Sequence, residues 1–262
     1  MNVFSLLWPL GPALVLGLAG LAWIASLWRH DASLADRFWP LFVAALPIAV
    51  WALGPVSGAR GQWMFALMAA WALRLGLFIT WRNWGHGEDR RYARMRERHG
   101  PAFALRSLYI VFGLQAVLAC IVALPVLGGL ASTRPLGLLD GIGAGLAIFG
   151  LVFEAVADAQ LARFLREPAT QGRVMDRGLW AWTRHPNYFG EACVWWGLGM
   201  MAWAGGAPWG LLSPLMMTGL LLKVSGVSLL EQDIGDRRPG YRDYVERTPA
   251  FWPRPPRGTG HP

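Results

Sequence analysis

The sequence predicts an all-α, polytopic membrane bundle of about seven helices, and three observations predict it. With 55% hydrophobic residues and a mean hydropathy of +0.35, the 262-residue chain is too apolar for a soluble domain of its length. Its apolar residues fall into runs of roughly 18 to 25, the length that carries a helix across the hydrocarbon core. Its Lys and Arg residues gather in alternate connections between those runs.

The spans are read at about 8–28, 38–57, 63–81, 107–130, 137–160, 188–205 and 209–230. Pro47 and Pro125 lie inside runs and are expected to kink them, which a bundle interior tolerates. Arg29 and Arg37 occupy the first connection, seven Arg occupy residues 82–106, five occupy 161–187 and six follow the last span. The opposite side holds only Arg60 and Arg134, while Arg74 and Lys223 lie within spans. Basic connections stay in the cytoplasm, so the N-terminus is expected outside and the C-terminus inside. The 16 Trp suit a chain with many water–bilayer boundaries.

The formal charge of +8 is spread over these connections, so topology rather than nucleic-acid binding explains it. Cys120 and Cys193 fall in apolar runs and read as buried thiols, and the five His outline no metal site. No cleavable signal peptide is expected, because no Lys or Arg precedes the first run and no small-residue cleavage site follows it.

Ionisable residues inside spans are costly and point to function or pairing. The fifth span ends FEAVADAQLARFLREP, in which Glu154 and Asp158 are four apart and share a helix face. Gln160, Arg163 and Arg166 follow; Asp158 either pairs with a neighbouring Arg or serves a ligand. The sixth span opens TRHPNYFGE. Pro186 suits a first helical turn, and Asn187 and Glu191 are again four apart. Such a helix start favours an anionic group, and Arg184 and His185 add cationic donors just before it. Carboxylates inside the bilayer edge and arginines outside it fit a phosphate-bearing nucleotide entering from the cytoplasm. A pocket between spans would be apolar and would suit a lipid-soluble substrate.

Weaker signals are GIGAG at Gly141–Gly145, read as close helix packing, and Lys223, which snorkels or meets a ligand. Arg74 lies about two turns before the basic loop. The charged run EDRRYARMRERHG reads as an amphipathic stretch, with binding to anionic headgroups as one explanation.

RHPNYFGE, WRNWGHGEDRRY, FEAVADAQLARF, GRVMDRGLW and GYRDYVERTPAFWP together resemble the steroid 5α-reductase-like membrane reductases, and more narrowly their bacterial branch. The resemblance covers about residues 60 to 256; Arg-His-Pro-x-Tyr stretches also occur in sterol reductases and in isoprenylcysteine methyltransferases. It implies N-terminal spans over 1–60, a catalytic membrane domain over 61–256 and a disordered tail over 257–262. It also implies NADPH held in the cytoplasmic half, by Asn187 and Glu191 at its amide or sugar portion and by Asp158 and Glu154 near the nicotinamide ribose. Arg173 and an Arg of the Arg163–Arg166 pair would meet phosphate, with Arg184 and His185 beside them; Asn83, Tyr244 and Arg247 complete the implied contacts. The steroid enzymes carry a Gln-Glu pair on the second helix and a Tyr on the third. Here LFVAALPIAVWALGPVS and WMFALMAAWALRLGLFIT have neither, so the substrate half has changed. Tyr188 is then the candidate proton donor.

The function this implies is NADPH-dependent reduction of a conjugated C=C bond in a lipid or steroid-like substrate, at a bacterial inner membrane with the cofactor site facing the cytoplasm. Membrane lipids are the expected surroundings, nucleic acid is not an expected partner, and no metal is expected. Transfer of a methyl group from S-adenosylmethionine to a lipid or prenylated thiol is the alternative, and a non-enzymatic membrane scaffold is a third.

Overall fold

A computed structural model of the chain describes residues 3–54, 58–170, 172–224 and 240–256. Every regular element among the described residues is helical. Long helices α1 (Val3–Arg29), α2 (Leu34–Leu53) and α3 (Ala59–Arg82) are followed by a short charged helix, α4 (Arg90–His99). A composite run comes next: α5 (Phe103–Ser107), a π-helical stretch (Leu108–Gly113), α6 (Leu114–Val122) and α7 (Leu124–Ala131). After it come α8 (Leu138–Arg166), α9 (Pro186–Ala204), α10 (Leu212–Gly219) with a π-helical turn over Leu220–Val224, and α11 (Tyr241–Arg247).

Five of these stretches are long and apolar enough to cross a membrane: Leu10–Arg29, Leu34–Leu53, Ala59–Arg82, the composite Arg90–Ala131 and Leu138–Arg166. They coincide with the first five spans expected from the sequence. The sixth expected span is occupied by α9, whose 19 residues include Asn187, Glu191 and four Trp or Tyr side chains that lower its hydropathy. The seventh starts on α10 and runs into residues 225–239, outside the described part, as does the tail over 257–262.

Pro125 breaks its run as expected, because its ring and missing N–H fit the first turn of a new helix. The chain stops at Val122 and restarts at Leu124. Pro47 lies buried inside α2, which stays helical throughout.

The chain forms two compact units, Met1–Gly141 with Gly199–Ser213, and Ile142–Leu198 with Pro214–Pro262. In the first, α2 packs against α1, α3, α6 and α7, burying Phe42, Val43, Ala44, Ala45 and Leu46. Its buried Arg60 is fully engaged. Nε and Nη2 donate to the two Asp140 carboxylate oxygens at 2.7 and 2.8 Å. Nη1 donates to Ser132 Oγ and the Arg134 carbonyl, and Nη2 also donates to the Pro135 carbonyl. A charge taken out of water is tolerated because every guanidinium direction finds an acceptor.

In the second unit one face of α8 is a stripe of Gly143, Ala147, Gly150, Glu154 and Ala157, spaced four and three apart and buried throughout. The other face exposes Ile142, Ile148, Phe149, Val152 and Val156, which suits contact with lipid tails.

Candidate functional site in the second unit

The stripe on α8 meets small residues on α9. A Cβ at Gly150 would stand 2.5 Å from the Gly190 carbonyl oxygen, and one at Gly197 would stand 2.3 Å from the Gly143 carbonyl oxygen. The backbones touch, which is how small residues associate helices in lipid. The tight packing therefore runs through Gly143, Gly150, Gly190 and Gly197. The sequence had suggested Gly141 and Gly145; a Cβ at either would meet nothing within 4 Å, so they lie off the crossing face.

This crossing sets Glu154. A Cβ at Gly190 would come within 2.6 Å of Glu154 Cγ, so the carboxylate arm lies over the first turns of α9, one residue from Glu191. Glu154, Asp158, His185 and Glu191 are 1%, 5%, 6% and 9% exposed. Asp158 is one turn beyond Glu154 on the same helix. Four ionisable side chains, two in the second half of α8 and two at the start of α9, are thus out of solvent. His185 stacks on Tyr188, centroids 5.3 Å apart and nearly parallel, and Asn187 Oδ1 accepts from the Tyr188 N–H at 3.1 Å.

Beyond the acids α8 continues into Arg163 and Arg166, both exposed, and the following loop carries exposed Arg173. A short 3₁₀ turn, Gly178–Ala181, folds back on the helix end. Leu179 N–H donates to Gln160 Oε1 at 2.9 Å, and Trp180 Nε1 donates to the Ala157 carbonyl at 3.0 Å. Gly178 has φ +59°, a backbone conformation that favours glycine, and the Gln160 amide lies over it. Gln160 and Trp180 were not assigned these tasks from sequence; only contact across the loop reveals them.

Residues after α11 strap the same turn. Thr183 Oγ1 donates to the carbonyls of Ala250 and Phe251, Arg184 N–H to Pro249, and Arg254 N–H to Trp182. Arg184 Nη1 donates to the carbonyls of Val245 and Thr248, the latter at 2.6 Å, a cation at the end of α11 where carbonyls lack helical partners. Tyr244 donates its phenol proton to the Trp180 carbonyl at 2.6 Å, and Arg247 pairs with Asp176. Phe189 packs edge-on against Phe153, Phe251 and Trp252.

The structure therefore places Glu154 and Asp158 in the second half of α8, which continues into Arg163 and Arg166, and His185, Asn187, Tyr188 and Glu191 at the start of α9. It gives Arg184, Tyr244 and Arg247 partners within the strap. Asn83 belongs to the first unit, where it ends α3; its carbonyl accepts from Arg37 Nη2 at 3.1 Å and its Oδ1 from Arg82 Nε at 3.3 Å.

The donor and acceptor set fits a phosphorylated dinucleotide in kind. Buried carboxylates accept from ribose hydroxyls and a carboxamide, and exposed guanidiniums take phosphate oxygens in bidentate fashion.

The chain is 27% identical to an uncharacterized protein of Schizosaccharomyces pombe over 269 aligned residues, covering 90% of this chain and 77% of that one. A family described as "Protein of unknown function (DUF1295)" matches residues 22–248, which takes in α2 to α11 and the candidate residues from Asn83 to Arg247. The chain belongs to this DUF1295 family.

Proposed function

We propose that the protein is an NADPH-dependent membrane reductase acting on a conjugated C=C bond of a lipid or steroid-like substrate. The observation that carries this reading is the burial of Glu154 and Asp158 in the second half of α8 and of His185 and Glu191 at the start of α9, with exposed arginines following on α8. Its sequence counterpart is the resemblance to steroid 5α-reductase-like enzymes. The chain crosses the membrane seven times, with the arginine-rich connections and the site facing the cytoplasm of a bacterial inner membrane.

Asn187, Glu191, Glu154 and Asp158 orient the nucleoside and amide portions, while Arg163, Arg166 and Arg173 hold phosphates. A bound NADPH supplies hydride. Tyr188, aligned by its stack on His185, donates the proton that completes reduction.

Heat unfolding of the detergent-purified protein with added nucleotides tests the reading. NADPH should raise the midpoint, and Glu191→Gln with Asp158→Asn should abolish that rise. Protection by S-adenosylmethionine alone would replace the reading with methyl transfer, and protection by neither would replace it with a scaffold.

A further inference from the structure

The sequence singled out one feature that the proposed site does not use, the charged segment Glu88–Gly100. In the first unit this segment is fastened under the turn joining α1 to α2. Glu88 Oε1 accepts the Ala32 N–H at 2.8 Å, Arg91 Nη2 and the Tyr92 hydroxyl both donate to Asp36 at 2.6 Å, and Arg96 donates to both oxygens of Glu88. Asp89 caps α4 by accepting the Arg91 N–H. Asp31 pairs with Arg37 at 3.6 Å. The inner face of α4 is thus Arg91, Tyr92 and Arg96, and the acids of the neighbourhood turn inward with it.

The outer face is different. Arg90, Arg94 and Arg98 are exposed there at four-residue spacing, with Glu97 as the acid among them. Cations so placed repel one another and weaken an isolated helix. At the same end of the unit, Arg29 and Arg82 finish α1 and α3, and Arg106 follows on α5. Trp28, Trp84 and Trp81 stand beside them, 83%, 74% and 47% exposed. Exposed Trp marks headgroup depth, where its ring is half in hydrocarbon and half in water.

We propose that the outward face of α4, with the neighbouring ends of α1 and α3, is a docking surface for the phosphate headgroups of anionic phospholipids. Charge complementarity selects the occupant. The outer face is net cationic, three arginines to the one acid Glu97, while Glu88, Asp89 and Asp36 are engaged on the inner side, and α4 is too charged to enter the hydrocarbon. Guanidiniums at the membrane surface bind such lipids additively, the attraction fading beyond a Debye length. This inference does not rest on the reductase reading.

Native mass spectrometry of the full chain from vesicles of mixed phosphatidylcholine and phosphatidylglycerol tests it. The wild type should retain phosphatidylglycerol selectively. Each of Arg90→Gln and Arg98→Gln should lower that selectivity roughly fivefold, and the double Lys variant should keep most of it. Equal selectivity in wild type and the Gln variants overturns the proposal. So does loss of NADPH-dependent heat protection in the Gln variants with lipid retention unchanged, which would assign these arginines to the nucleotide.

Discussion

Glu154 lies over Gly190, and the missing Cβ of that glycine is what leaves room for its carboxylate arm. A methyl at Gly190 would also press on the Glu154 backbone nitrogen and the Gly150 carbonyl, both at 2.9 Å. Gly190→Ala is therefore expected to cost about 1–3 kcal/mol through overpacking. Gly145→Ala, off the crossing face, should be neutral or slightly stabilising through helix propensity. Denaturation midpoints in detergent compare the two; equal losses would refute the close crossing.

Arg60→Ala strands Asp140 in a site only 3% exposed and is expected to destabilise by about 3–5 kcal/mol. Arg60→Lys should recover little, because a single ammonium cannot reproduce the paired donation of Nε and Nη2 to Asp140 while also reaching Ser132 and two carbonyls. Thermal unfolding reads both variants, and a wild-type midpoint for Arg60→Lys would contradict the clamp.

Glu88 supplies a pH dependence. Burial raises its pKa, but the hydrogen bonds from Arg96 and the Ala32 N–H outweigh it, so the net value lies below the ordinary 4.5. A depressed carboxylate stabilises the folded state above its unfolded value and stops doing so as pH falls through its folded value. The fastening of residues 88–96 to the α1–α2 turn should therefore weaken below about pH 4.5. The protection of the Ala32 amide, measured against its intrinsic exchange rate, should fall there in the wild type. In Glu88→Gln the same amide should exchange faster at neutral pH and lose that acid step.

The strap gives a fourth expectation. Thr183→Val removes the hydroxyl that donates to Ala250 and Phe251 and should cost about 1 kcal/mol locally. Arg184→Ala should free α11 more completely. Limited proteolysis between Thr248 and Arg254 should quicken in both, most in Arg184→Ala; unchanged cleavage would show that the strap is held elsewhere.

Much of the scaffold was legible in the sequence because bilayer thickness imposes it. The first five spans appear as apolar helical runs, and Pro125 sits in the first turn of a new helix within its own. That Glu154 and Asp158 share a helix face was legible from their four-residue spacing, and both are buried. What could not be read was which glycines cross. That depends on helix rotation, and on α8 several glycines compete, so Gly143 and Gly150 displaced Gly141 and Gly145. Nor could residue type show that the acceptors of Arg184 are carbonyls far along the chain. Arg60 counted only toward topology, although Asp140 is its partner across a long sequence separation.

The strap also orders biogenesis. Trp180, Trp182, Thr183 and Arg184 leave the ribosome well before Tyr244, Pro249, Phe251 and Arg254. Until those later residues arrive, water must satisfy the waiting donors and carbonyls, and the segment leading into α9 lacks its brace. A nascent chain cut short there would display unfinished backbone, the kind of opened segment at which proteolytic nicking concentrates.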